Sequence, residues 1–215
     1  YLKGCNSIYT GTPLRNQFYI QNKLPSWIPK GNGPLIIVMG GSQGAKFIND
    51  IVYDLLDFLI ENNFRLIHIF GNNLDLKFKN KKNKNYIPLS FTNEIAALMQ
   101  NSDLIISRSG SGSINEIIKT RIPSILIPYP SAKNNHQEKN ALILTSKGSS
   151  IMLQQNKDLK TNLKKNLKRI FKKVSKNKPN NYEILEIMKR NISKFNLNDP
   201  RKDIQKIINS YRKDL

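Results

Sequence analysis

The fold is decided by the stretch Leu-Ile-Ile-Val-Met-Gly-Gly-Ser-Gln-Gly at residues 35–44, together with the segment 45–60 that follows it. Residues 35–39 form a short, continuous apolar run, which is typical of a strand buried on both faces of a parallel sheet. In the next segment, apolar residues recur at intervals of three and four, which predicts an amphipathic helix (Ile48, Ile51, Val52, Leu55, Leu56 and Leu59). The stretch therefore predicts a strand, a glycine-rich turn and a helix.

The same alternation continues on both sides of this stretch. Seven segments are predicted to be strands: 7–10, 35–40, 65–70, 86–89, 104–107, 124–127 and 150–153. Shorter helices are predicted at 95–99, 114–118 and 141–144. Repeated strand–helix–strand units predict an α/β fold with a doubly wound, Rossmann-like parallel sheet, in which ligands bind at the carboxyl ends of the strands.

The chain from about residue 156 onward contains no predicted strand and three helical stretches. We therefore expect a ligand-binding unit over 1–155 and a helical tail over 156–215 that packs on it. Asp199-Pro200 resembles an N-cap followed by proline at the first helical position. In 157–174, apolar residues occupy one side and lysines the rest. This pattern fits a surface helix packed on the sheet, and it also fits a helix lying on anionic lipid.

Composition limits the possible partners. The chain has 215 residues, of which 39% are hydrophobic, and a net charge of +20. The charge reflects either a general abundance of lysine or an attraction to phosphates, nucleic acid or an acidic membrane surface. The basic runs 77–84 and 157–178 lack the interleaved aromatic residues of a nucleic-acid platform, so no nucleic-acid partner is expected. No apolar run reaches the roughly 20 residues of a membrane span, and the single cysteine, Cys5, fits a reducing cytoplasm.

Three predicted strand ends carry loops suited to ligands. The first loop holds glycines that let a backbone approach an anion at a helix N-terminus, or that simply permit a tight turn (Gly40, Gly41 and Gly44, with Ser42 and Gln43 between them). It lacks the lysine of a Walker A loop.

The second loop, residues 107–116, includes Gly110 and again opens a helix. Ser113 and Glu116 have the spacing of a capping box, in which Glu116 would bond the helix's own backbone. Alternatively, the Glu116 carboxylate would accept both hydroxyls of a ribose.

The third loop, residues 128–140, carries His136 and Gln137, whose neutral polar groups suit sugar hydroxyls, although a lone histidine is often just a solvated loop residue. Arg15 follows the first predicted strand and would either reach a diphosphate or lie on the surface. Neither an Asp-x-Asp pair nor a zinc-spaced Cys/His cluster occurs, so no metal or cofactor is expected, and no residue qualifies as a general base.

Together the motifs resemble the C-terminal lobe of the MurG family of GlcNAc transferases. They are Gly-Thr-Pro-Leu-Arg at 11–15, Gly-Gly-Ser-Gln-Gly-Ala at 40–45, Ser-Arg-Ser-Gly at 107–110 with Glu116, and Pro-Tyr-Pro at 128–130 through Asn-Ala at 140–141. The resemblance implies a GT-B fold of two Rossmann-like lobes, and this chain corresponds to the lobe that binds the donor. The family often has Asn at position 12 and Ala at position 111, where this chain has Thr12 and Ser111.

The resemblance also implies an activity and a set of contacts. The expected reaction is inverting transfer of GlcNAc from UDP-GlcNAc to lipid I, which makes lipid II for peptidoglycan at the cytoplasmic side of the membrane. Arg15 and Ser42 would hold the diphosphate, Glu116 the ribose, and the backbone at Thr92 the uracil. Gln137 and His136 would hold the sugar, and the second loop would add contacts (Ser111, Gly112, Ser113, Ile114 and Asn115).

The resemblance implies that the family's other lobe carries the acceptor site, the catalytic base and the main membrane-facing patch. We therefore expect an N-terminal lobe or a partner chain to complete the enzyme. Two alternatives stay open at this point: a related UDP-sugar transferase with another lipid-linked acceptor, and a basic nucleic-acid-binding protein.

Overall fold

The computed structural model describes residues 7–41, 45–72, 83–173, 182–196 and 199–213. Its centre is a six-stranded sheet in the order β3-β2-β1-β4-β5-β6, in which every neighbouring pair is parallel. The strands are β1 Leu35–Met39, β2 Arg65–Ile69, β3 Tyr86–Leu89, β4 Leu104–Ser107, β5 Ser124–Leu126 and β6 Ser150–Met152. This is the predicted doubly wound, Rossmann-like sheet, with its strand order reversing between β1 and β4.

Helices cover both faces of the sheet. They are α1 Lys46–Asp54, α2 Leu56–Glu61, α3 Ile95–Asn101, α4 Ser111–Thr120, α5 His136–Thr145, α6 Leu159–Ile170, α7 Glu183–Ile192 and α8 Pro200–Lys213, with 3₁₀ turns at Asn16–Phe18 and Lys133–Asn135. Alternate residues of β1 enter two different cores. Ile36 and Val38 pack with α1, α2 and α6, whereas Leu35, Ile37 and Met39 pack with α3, α4 and α5.

Two predicted elements are wrong. Residues 7–10 form no strand, because Ile8 and Tyr9 are 65% and 96% exposed instead of joining the sheet. The predicted helix 45–60 is two helices, since the backbone turns at Leu55, where φ is −93° and ψ is 0°. The Leu55 N–H donates to the carbonyls of both Ile51 and Val52, which tightens the turn. Four strands also end one residue earlier than predicted, before residues 40, 70, 127 and 153.

The tail contains the three predicted helices, α6, α7 and α8. Asp199 caps α8: its Oδ1 accepts the backbone N–H of Arg201 at 3.1 Å, and Pro200 is the first helical residue. The apolar side of α6 is buried in the core (Leu159, Leu163, Leu167 and Ile170). Among the described residues, no helix is long and apolar enough to cross a membrane. Cys5 and most of the basic run 77–84 lie outside the described ranges.

Candidate functional site

Two adjoining clefts lie at the carboxyl ends of the strands, where the strand order reverses. The loop after β1 and the loop after β4 face each other across this point, and Gly41 and Ser113 border both clefts. One cleft encloses about 370 Å³ and the other about 610 Å³. This is the position at which doubly wound sheets bind their ligands.

The smaller cleft, which we call the apolar cleft, has mostly hydrophobic walls. They come from the ends of β1 and β2, from the loop after β3 and from α3 (Met39, Ile69, Phe91 and Ile95). Phe91 is 67% exposed, so its ring is available to a ligand. Thr92 lies beside it, and its Oγ1 accepts the backbone N–H of Glu94 at 3.0 Å. Arg15, Gly112, Ser113 and Glu116 border the opposite side.

Glu116 is an acidic group at the edge of this apolar cleft. Its side chain is 16% exposed, and Oε1 accepts a hydrogen bond from Nη2 of Arg15 at 3.2 Å. Burial raises the pKa of Glu116 above its ordinary value, and the Arg15 guanidinium partly opposes this shift. The carboxylate thus has one cationic partner that is itself 52% exposed and can be displaced toward solvent or a ligand.

The capping-box interpretation of Glu116 is wrong. Helix α4 begins at Ser111 with Gly110 as its N-cap, and no side chain bonds the cap. Glu116 is therefore the sixth helical residue, beyond the first turn whose N–H groups need a cap. Those N–H groups, at 111–113, point out of the helix start toward the junction of the two clefts, because the first intrahelical bond runs from the Ile114 N–H to the Gly110 carbonyl.

The larger cleft, which we call the polar cleft, is built around a buried cation. Arg108 follows β4, is 9% exposed and donates from Nη1 to the carbonyls of Ile127 and Pro128 at 3.0 and 3.1 Å. Its Nη2 donates to Oε1 of Gln155 at 2.6 Å. Burial lowers the pKa of Arg108 below its ordinary value, although a guanidinium stays charged in proteins. The ring of Tyr129 lies 5.4 Å from the guanidinium carbon. Arg108 therefore ties together the loops that follow β4, β5 and β6.

Gln137, at the start of α5, also borders the polar cleft. Its Oε1 accepts the backbone N–H of Tyr129 at 3.0 Å, and its backbone carbonyl accepts the Ser109 hydroxyl at 2.7 Å. Asn140 donates to the Ser109 carbonyl at 3.0 Å, which joins α5 to the loop after β4. His136 is exposed, and its Nδ1 lies 2.8 Å from the Lys133 carbonyl. Since a carbonyl only accepts, Nδ1 carries a proton in this contact.

Some residues predicted for the site do not line the clefts. Ile114 is 3% exposed and packs in the core. Asn115 donates to the Ser111 carbonyl and borders a separate cavity of about 200 Å³ next to the N-terminal segment. Ser111 is exposed at the helix start. Ser42, Gln43 and Gly44 lie outside the described residues.

The two glycines of the first loop that are described both border the polar cleft. Gly41 has φ of +89°, a left-handed conformation that favours glycine.

Comparison with known proteins identifies the family. Residues 35–195 match the glycosyltransferase family 28 C-terminal domain. The chain belongs to this family.

Relatives and a solved structure agree with the family 28 assignment. Two curated relatives are named as UDP-N-acetylglucosamine--N-acetylmuramyl-(pentapeptide) pyrophosphoryl-undecaprenol N-acetylglucosamine transferase. One, from Prochlorococcus marinus (strain MIT 9312), is 57% identical over 100% of this chain and 59% of its own length. The other, from strain NATL2A, is 42% identical over 98% of this chain and 58% of its own. The chain thus spans about three fifths of these relatives.

The fold comparison agrees as well. The crystal structure of Acinetobacter baumannii MurG superposes with a TM-score of 0.69 at 22% identity, over 84% of this chain and 51% of that one. The MurG-family resemblance inferred from the motifs and the GT-B lobe fold are therefore confirmed.

The sequence patterns assign no role to three residues that border the polar cleft, which are Arg108, Tyr129 and Gln155. The sequence did hold one signal for Arg108, which is a charged residue placed directly after a strand buried at every position. Gln155 carries no comparable signal, because only the fold brings the loop after β6 next to the loop after β4.

Proposed function

We propose that this chain is the donor-binding lobe of an inverting transferase that moves GlcNAc from UDP-GlcNAc to a lipid-linked MurNAc-pentapeptide, as in peptidoglycan synthesis. The observation that carries the proposal is the junction of an apolar cleft and a polar cleft at the N-terminus of α4. A nucleotide sugar has its parts in the same order: a flat base, a diol, a doubly charged diphosphate and a polyhydroxylated ring.

The apolar cleft suits the uridine. Its hydrophobic walls and the exposed ring of Phe91 would cover the faces of the uracil. The backbone at Thr92 would bond the edge of the base. Glu116, at the edge of the cleft, would accept the two ribose hydroxyls. On binding, Arg15 would turn from Glu116 toward the diphosphate, because its side chain is half exposed.

The diphosphate fits the junction between the clefts. Gly41 and Ser113 border both clefts there. The free N–H groups at the start of α4 and the positive end of its dipole would stabilise the negative charge. Arg15, Arg108 and Lys46 add positive charge around it, so we expect no divalent metal in donor binding. Ser42 and Gln43 are expected to contribute through the loop after β1.

The polar cleft would take the GlcNAc ring. Gln137 and Gln155 offer amide groups, and Tyr129 offers a ring face and a hydroxyl. His136, which precedes Gln137 in the sequence, would contact one sugar hydroxyl from outside the residues that line the cleft. This chain would supply no general base. An N-terminal lobe or a partner chain would supply the base and hold the acceptor at the cytoplasmic side of the cell membrane, where peptidoglycan synthesis supports cell shape and division.

Titration calorimetry with UDP-GlcNAc tests the proposal on this chain. We expect binding of UDP-GlcNAc and UDP, no binding of GDP, and no sugar transfer to a lipid I analogue until an N-terminal lobe is added. The substitution Gly110→Ala provides a variant that should lose donor binding without losing the fold. Gly110 has φ of −61° and no atom within 4 Å of an added Cβ, so the free protein should fold normally. The added methyl group would project at the edge of the polar cleft, and the affinity for UDP-GlcNAc should fall at least about tenfold. Failure to bind UDP-GlcNAc at millimolar concentration would overturn the proposal.

A further inference from the structure

Helix α6 and its flanks form a strongly basic surface. Eight exposed cations lie within residues 157–173, which contain a single acidic residue, Asp158. We call this surface the α6 basic face (Lys157, Lys160, Lys164, Lys165, Lys168, Arg169, Lys172 and Lys173). The helix of 12 residues is about 18 Å long, so the cations cover an extended strip of the surface.

The apolar side of α6 cannot take part in an external contact. Leu159, Leu163, Leu167 and Ile170 are each at most 1% exposed and pack against the sheet. The helix therefore offers its surroundings charged groups and the aliphatic stems that carry them. A partner of this face must be recognised by its negative charge, because no apolar stripe is available for insertion.

The neighbouring helices neutralise only part of this charge. Lys160 pairs with Asp54 at 3.1 Å, and both groups are about half exposed. The Nζ atoms of Lys164 and Lys168 lie 4.8 and 5.6 Å from the centre of the Phe58 ring on α2. The acidic residues Asp57 and Glu61 also lie on α2. Even with these acids included, the face keeps an excess of positive charge.

We propose that the α6 basic face is a contact surface for the anionic headgroups of a lipid bilayer. This rests on the proposed function in one respect, which is that the acceptor is lipid-linked and the donor cleft must work near a bilayer. The face begins next to that cleft, since Gln155 lines the polar cleft and Lys157 is two residues further along. Adsorption through α6 would hold the cleft close to the membrane surface.

The chemistry of the face favours a bilayer over single-stranded nucleic acid. Single-stranded nucleic acids are bound by basic grooves with exposed aromatic rings on which bases stack. Here the cations lie on a convex helix, and Phe58, the ring next to them, has two lysine ammonium groups over it. A strip of cations without a stacking platform matches a surface of densely spaced phosphate headgroups, which attracts polybasic segments within a Debye length.

The test uses sedimentation of the full chain with vesicles of phosphatidylglycerol and phosphatidylcholine, at low and high salt. The variant is K164Q/K165Q/K168Q/K172Q, and the matched control is K23Q/K30Q/K147Q/K194Q, which removes the same charge from exposed lysines elsewhere. Glutamine has nearly the helix propensity of lysine, so α6 should be retained. A lysine close to an anionic bilayer contributes about fivefold to partitioning. The partition coefficient of the α6 variant onto the vesicles should therefore fall at least about 50-fold, and that of the control should stay within about fivefold of the unmodified chain.

The outcomes separate this proposal from the proposed function. The membrane proposal is supported if vesicle binding is salt-sensitive, is lost in the α6 variant and is kept in the control. Calorimetry should show unchanged UDP-GlcNAc binding in both variants. The membrane proposal is overturned if no binding occurs at low salt, if the control loses as much as the variant, or if binding survives high salt. It is also overturned if the α6 variant loses binding to a uridine-free oligonucleotide but keeps binding to vesicles. Absence of UDP-GlcNAc binding with intact vesicle binding would count against the proposed function alone.

Discussion

The substitution Glu116→Gln separates a ligand-binding role of this residue from a structural one. Glu116 does not cap α4, because the helix begins five residues earlier at Ser111. Its partner Arg15 is 52% exposed, and a pair with such a partner contributes at most about 1 kcal/mol to stability. Glutamine has the same shape and keeps one acceptor oxygen. We therefore expect the free energy of unfolding to change by less than about 1 kcal/mol.

The loss of UDP affinity should be larger. A hydrogen bond to a charged group contributes about 1.5–3 kcal/mol, against about 0.5–1.5 kcal/mol for a neutral one. The difference is about 1 kcal/mol for each of the two ribose hydroxyls. A total of about 2 kcal/mol corresponds to roughly 30-fold weaker binding of UDP.

The assay compares UDP with 2′-deoxy-UDP by calorimetry, in parallel with thermal melting. In the unmodified chain the missing hydroxyl should weaken binding, and in Glu116→Gln the gap between the two ligands should shrink. Glu186→Gln is the control, because Glu186 is another helical glutamate paired with a cation, Lys189 at 3.1 Å, and it lies away from both clefts. If melting falls and affinity holds, or if both ligands weaken equally, Glu116 is not the ribose acceptor and the reasoning fails.

Three further predictions follow from the site. Because burial raises the pKa of Glu116 above its ordinary value of 4.5 and binding requires its carboxylate, UDP-GlcNAc affinity should fall on acidification before pH 4.5 is reached. Calorimetry over the same pH range should show no such fall in Glu116→Gln. UDP affinity should be the same in EDTA, and a loss that Mg²⁺ restores would contradict the cationic diphosphate site. Arg108→Met leaves two carbonyls and the Gln155 amide without their shared donor. The free energy of unfolding, measured by urea denaturation, should therefore fall by about 2–3 kcal/mol. An unchanged free energy of unfolding would mean that water replaces the guanidinium.

The sheet was predictable because a strand that is buried on both faces forms a short, continuous apolar run in the sequence. Each of the six observed strands was predicted with an end error of at most one residue. The same pattern gave a wrong strand at residues 7–10. An apolar pair such as Ile8 and Tyr9 indicates burial, but it does not show which surface would cover the pair. The break between α1 and α2 at Leu55 could not be predicted, because Leu55 and Leu56 are both buried and continue the apolar spacing of one helix.

The site was predictable at the level of loops but not at the level of single side chains. The loops after β1 and β4 meet at the reversal of strand order, which follows from the topology alone. Within α4, each residue is rotated by about 100° from the one before it. Ser113 and Glu116 therefore share the cleft side, while Ile114 turns into the core and Asn115 toward another cavity. Helical geometry alone therefore indicates that the side chains of Ile114 and Asn115 face away from the two clefts.

The walls of the apolar and polar clefts are held by a second buried network, and its protonation state follows from its hydrogen bonds. The Asn49 amide donates from Nδ2 to the Phe70 carbonyl at 3.0 Å, which fixes Oδ1 as an acceptor. Oδ1 lies 3.0 Å from Nε2 of His68, so Nε2 carries the proton and Nδ1 accepts the Tyr86 hydroxyl at 3.0 Å. Burial lowers the pKa of His68 to about 3, so the ring stays neutral at any pH at which the donor would bind. This network links α1, at the polar cleft, to β2 and β3, whose carboxyl ends lie at the apolar cleft, and its histidine does not change charge in that pH range. We therefore expect an acid-dependent loss of donor affinity to arise from groups that touch the ligand, and the Glu116→Gln comparison tests this expectation.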